Sequence, residues 1–146
     1  MRKIFMIVCL AATVTFARAA DTVQVSGVIG GKPLQVVPEV RQKLVEESIS
    51  LLASCAYSSL HDSSTNTLHF ADAEKQSHLT FIFAKPPTVE VKTENMKVDV
   101  KKMVITLPLS SGVVWVSSNH STSYFAKFTP EASFKLEATL KAAQNQ

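Results

Sequence analysis

The sequence predicts an α+β domain, with helices packed on an antiparallel sheet of about five to seven strands. Three observations carry that expectation. A helical stripe of apolar residues follows Pro38, several short stretches between residues 67 and 128 alternate with period two or run continuously apolar, and Thr129-Pro130-Glu131 opens a second helical segment. Composition agrees: of 146 residues, 46% are hydrophobic and 18% charged, with 4 Gly and 6 Pro, which excludes collagen-like, disulfide-scaffold and disordered classes.

Residues 1–19 read as a secretory signal peptide, and residues 20–146 as a single small globular domain. Arg2 and Lys3 form a basic start, residues 4–16 are apolar and uncharged, and Ala17-Arg18-Ala19 is a small-x-small cleavage site. The apolar run is too short for a stable transmembrane anchor. Cys9 lies in its middle after bulky Val8, which argues against a lipid anchor there. The chain is therefore expected in the periplasm or outside the cell. Removing Arg2, Lys3 and Arg18 from the 15 basic residues leaves 12, equal to the 12 acidic ones, so the basic excess belongs to the leader. A mature chain of zero net charge lacks the field that nucleic acid or an anionic membrane requires. With Cys9 removed, Cys55 has no intrachain disulfide partner, and the fold must rest on its core.

Along the chain, Thr22-Val23-Gln24-Val25 alternates and Gly30-Gly31-Lys32-Pro33 signals a turn, which together suit a short N-terminal strand or hairpin. Pro38 suits a first helical position. Apolar Val40, Leu44, Val45, Ile49, Leu52, Cys55 and Ala56 fall on one stripe, so a long helix is expected over residues 38–57 with Cys55 on its buried side. Residues 61–66 are polar and read as a loop. Residues 67–70 and 77–83 then read as two strands of a hairpin joined through residues 73–76. Alternation continues at Val89 and Val91, at Met96, Val98 and Val100, and at Met103, Ile105 and Leu107. Residues 113–116 form an apolar run suited to the sheet interior, and residues 124–128 a last strand. In the C-terminal segment, Ala132, Phe134, Leu136, Ala138 and Leu140 alternate like a strand, but the start signal and the Ala, Leu, Glu and Lys content favour a helix.

Candidate chemistry is sparse, and each candidate has a plainer structural account. In the expected hairpin His69 and His78 become diagonal neighbours on the face away from the core, where they could share a metal with Asp72 or His61. Two polar residues on a solvated strand face explain them more simply, so neither a metal nor any other cofactor is predicted. Cys55 falls on an apolar stripe near a helix C-terminus, where a reactive thiolate is disfavoured. His61-Asp62 has no serine in a nucleophile-elbow frame, and Gly30-Gly31 lacks the rest of a phosphate loop, so no catalytic residue is assigned. Asn119-His120-Ser121 matches a glycosylation acceptor, which matters only in a eukaryotic secretory pathway.

Trp115, Tyr124 and Phe125 define the expected contact surface. Adjacent Tyr124 and Phe125 must point to opposite faces of a regular strand, so one of them is exposed or covered by a helix and points to the contact surface. The leading functional expectation is an exported, noncatalytic binding module, monomeric or weakly oligomeric, for a protein or cell-envelope component. The alternatives are a small-molecule or lipid carrier with an apolar pocket between helix and sheet, and a metal-assisted enzyme using His69 and His78. The helix-then-sheet order resembles small secreted α+β folds, cystatin-like ones among them, in architecture only. No inhibitor motif stands in these residues, so the resemblance implies no activity.

Overall fold

The computed structural model describes residues 23–62, 66–92, 95–118 and 121–145. The expected leader and Asn119 lie outside them. Strand β1 (Val23–Ile29) turns through Gly30 and Gly31 into the two-residue β2 (Lys32–Pro33). Both glycines have positive φ, +58° and +78°, which a two-residue hairpin turn demands of its central residues. Helix α1 (Pro38–Ala53), β3 (Tyr57–Asp62) and helix α2 (Asn66–Glu74) follow. Then come β4 (His78–Phe83), β5 (Thr88–Val91), β6 (Met96–Asp99), β7 (Lys102–Thr106), β8 (Val114–Ser117), β9 (Ser121–Ala126) and helix α3 (Pro130–Gln144).

Seven strands form one antiparallel sheet in the order β2-β1-β4-β7-β8-β9-β3, and β5 pairs with β6 in a separate hairpin. The predicted α+β class and strand number therefore hold. The apolar run of β8 lies inside the sheet between β7 and β9, as its composition demands. Alternation assigns the faces. Leu79, Phe81 and Phe83 of β4, Met103 and Ile105 of β7, Val114 and Val116 of β8, and Phe125 of β9 are buried on the inner face. They share one core with Leu44, Leu51 and Leu52 of α1 and with Leu136 and Leu140 of α3. Val89, Val91 and Val98 of the β5–β6 hairpin belong to the same core.

Helix α3 settles the conflict in the C-terminal segment. Its buried positions, Ala132, Leu136, Thr139, Leu140 and Ala143, follow helical spacing, and Phe134 is left 73% exposed on the opposite side. Thr129 caps the first turn by accepting from the Ala132 amide at 3.4 Å.

Three expectations are corrected. Helix α1 stops at Ala53 and does not reach Tyr57. The Ser54 hydroxyl donates to the Leu51 carbonyl at 2.7 Å, and the Ala56 amide already bonds the Lys127 carbonyl at 3.0 Å, so strand pairing begins where the helical stripe would have continued. The stretch expected as a loop from residue 61 belongs partly to β3, which pairs with β9 over its whole length from Tyr57↔Ala126 to Asp62↔Ser121. Residues 67–70 are helical, not a strand. Phe70 and Ala73, one helical turn apart, pack on Val104 and Trp115 of the outer sheet face, and Lys102 binds both the Phe70 ring (4.7 Å to its centroid) and Glu74 (3.1 Å).

Truncation should separate the two sides of β4. Phe81→Ala removes a fully buried ring and is expected to cost about 3–5 kcal/mol in chemical denaturation, whereas Ile82→Ala, at a position 43% exposed, should cost less than about 1 kcal/mol. Ser48 is fully buried on α1 with no partner for its hydroxyl. Ser48→Ala should therefore raise stability by roughly 0.5–1 kcal/mol in the same assay.

Candidate functional site

On the outer face of the sheet, opposite α1 and α3, His78, Thr80, Val104, Thr106 and Thr122 are buried, and Trp115, Tyr124 and Ala126 are half-buried. Trp115 and Tyr124 are cross-strand partners of β8 and β9. Their rings meet edge to face, with centroids 5.0 Å apart and planes at 64°. Trp115 is anchored from the other side by the cluster of Phe70, Ala73 and Val104. Tyr124 is half-buried, whereas Phe125 points inward and is fully buried, which removes it from the expected contact surface. Alternation along β9 thus divides the adjacent pair as predicted.

A groove of about 350 Å³ opens beside Tyr124, between the turn after β7 and the start of α3. Leu109, Val113, Ala126 and Phe128 supply apolar walls, while Ser111 and Ser133 bring hydroxyls to it. Gly112 shapes the turn wall: a Cβ there would collide with the Thr106 carbonyl oxygen. Thr106 fixes the same turn, its hydroxyl accepting from the Val113 amide at 2.9 Å while its own amide donates to the Val113 carbonyl at 3.0 Å. On the other wall Lys127 sits in the left-handed region at φ +61°, which redirects the chain from β9 toward α3.

The metal reading depended on a hairpin that does not form. His69 lies on α2, and β4 pairs with β1 and β7, so His78 stands opposite Val28 and Thr106. His78 is buried on the outer face, its Nδ1 2.7 Å from the Gln76 carbonyl oxygen. Among the described residues no group of three or more His, Cys, Asp or Glu could hold an ion. His61 and Asp62 belong to β3, and their side chains lie outside the description.

Cys55 sits just beyond α1 rather than on it, fully buried, with Sγ donating to the Leu51 carbonyl at 3.5 Å. Burial pushes its pKa up from 9.0 to about 12, so the thiol stays protonated in the core at neutral pH.

Aromatic content and strand alternation singled out Trp115 and Tyr124 in the sequence, and the structure pairs their rings on the outer sheet face. The groove left no trace in the sequence, because nothing in the pattern of residues 108–112 places them beside Lys127, Phe128 and Ser133. The fold and this face define an α+β domain with an aromatic-walled groove on its sheet. No protein-family model, curated protein or solved structure matches the chain.

The raised thiol pKa has a measurable consequence. Between about pH 9 and 12 the folded chain keeps a proton that the unfolded chain releases, so this stability contribution is complete below pH 9 and lost as pH rises toward 12. Denaturation midpoints should fall over that range in the parent, and more gently in Cys55→Ala. An equal slope in both would contradict the assignment.

Proposed function

We propose that this chain is an exported, noncatalytic binding module that engages a protein or cell-envelope component through the outer sheet face around Tyr124. The observation that carries the reading is the Trp115–Tyr124 aromatic pair on the outer sheet face, with Tyr124 also lining the groove at the end of the sheet next to α3. Aromatic side chains with rigid, half-exposed rings supply contact area at little conformational cost. The basic start, apolar run and Ala17-Arg18-Ala19 site of the sequence support export. No helix among the described residues is long and apolar enough to cross a membrane.

The carrier alternative asks for an apolar pocket between helix and sheet. That space is occupied by Leu44, Leu51, Phe81, Met103, Phe125 and Leu136, all fully buried in one core. The groove lies instead at the end of the sheet, between the Gly112 turn and the first turn of α3, and is partly walled by hydroxyl groups. These features favour a surface contact over an enclosed cargo.

A photo-crosslinking residue at position 124, introduced in the producing cell, should yield one reproducible protein or envelope adduct. The same residue at position 137 on α3 should not. Tyr124→Ala should abolish capture by crosslinkers placed at position 111 while circular dichroism shows the chain still folded. A small apolar molecule retained in the native mass spectrum and displaced on denaturation would instead favour the carrier reading.

A further inference from the structure

The two edges of the sheet are treated differently. At one edge, β2 covers β1 with Lys32 and Pro33, and the Leu34 amide extends this cover by donating to the Gly27 carbonyl at 2.9 Å. Lysine, proline and extreme shortness are the features that stop a further strand from adding. At the other edge lies β3, six residues reading Tyr-Ser-Ser-Leu-His-Asp, with no lysine and no proline. It pairs with β9 on one side, and no strand among the described residues pairs with it on the other.

Hydrogen-bond phase identifies which backbone groups of β3 point away from the sheet. The Ser118 amide bonds the Ser121 carbonyl at 3.0 Å, and the Thr106 amide bonds the Val113 carbonyl at 3.0 Å. Both fix Ser121, Ser123 and Phe125 as the β9 residues whose backbone groups face β8, leaving Thr122, Tyr124 and Ala126 to bond β3. Their β3 partners are His61, Ser59 and Tyr57. The N–H and C=O groups of Ser58, Leu60 and Asp62 therefore point outward. The Ala56 bond to the Lys127 carbonyl falls outside this alternation because Lys127 is left-handed.

We infer that the β3 edge is a homodimer interface, in which β3 of a second copy of this chain adds antiparallel about a two-fold axis at Leu60. That register sets Leu60 opposite its own copy and Ser58 opposite Asp62 in both directions, each pair exchanging two backbone bonds, so every outward group of the strand is used. It brings no like charges together: Asp62, the one carboxylate of the strand, faces a serine position, and β3 carries no Lys or Arg. A second copy is the occupant that the symmetry favours. The strand is self-complementary in charge and phase, and the Lys32–Pro33 cover at the opposite edge stops growth at two copies instead of a fibre. The dimer also sets the two β9 strands three strand steps apart, roughly 14 Å, which lays both Tyr124 surfaces on one continuous sheet.

Sedimentation equilibrium of the exported chain over a concentration series tests this. The expected result is a reversible dimer, weakened at least about tenfold by Ser58→Pro. Position 58 tolerates proline within the monomer because its N–H points outward and Tyr57 is already extended. Circular dichroism should show the variant folded. Should it fail to fold, Leu60→Cys decides: in the two-fold register the paired positions are close enough for a disulfide, so mild oxidation should give a covalent dimer, whereas Glu137→Cys on α3 should not. A parent that stays monomeric at its solubility limit overturns the inference. So does a dimer that neither responds to Ser58→Pro nor cross-links through Leu60→Cys.

Discussion

The joint between the end of α1 and the start of α3 is the constraint on which the structure depends. The sheet has one extended apolar face, and the two helices that cover it are separated in the chain by β3 through β9. They meet because the Ala56 amide bonds the Lys127 carbonyl and the Thr129 amide bonds the Ser54 hydroxyl at 3.3 Å, a contact spanning 75 residues. Ser54 thus ends α1 and steadies the entry to α3 with the same oxygen, donating to Leu51 and accepting from Thr129. The pairing of β3 with β9 grows from the same corner and places β3 at the sheet edge.

The inner face is closed by α1 and α3, and the outer face is covered differently. Helix α2 covers only part of it, through Phe70 and Ala73 on Val104 and Trp115. The same contact orders the Trp115 ring against which Tyr124 rests, so the short helix positions the proposed binding surface without forming it. The groove is bounded by the turn around Gly112 and by the left-handed residue Lys127, both features of backbone geometry more than of side-chain chemistry. A surface built this way suits recognition by shape and aromatic contact.

Much of the framework was legible in the residues, and the failures share one cause. Pro38 and Thr129-Pro130 marked both long helices, and alternation marked β4 through β9, because these segments bury one face each and carry that burial as a period. Helix α2 was misread since Thr67-Leu68-His69-Phe70 is too short to distinguish a period of two from one of 3.6. Its helical state is held by Val104, Trp115 and Lys102, all more than 25 residues away. Strand β3 was missed because Tyr-Ser-Ser-Leu-His-Asp has no apolar alternation, and its identity comes from the paired backbone of β9. The expected histidine pair depended on that misread hairpin, whereas Trp115 and Tyr124 stand opposite each other on strands that alternation had identified.

By itself the sequence determined the α+β class, the inner core, the burial of Cys55 and the opposite orientation of Tyr124 and Phe125, all of which follow from local periodicity and hydrophobicity. Tertiary structure alone decided which strand lies at the open edge, that residues 66–74 coil onto the outer face, and that the turn around Gly112 meets Lys127 and Ser133 to form a groove. The physical reason is that backbone hydrogen bonds and loop contacts between distant segments are indifferent to side-chain period, so they leave no pattern along the chain.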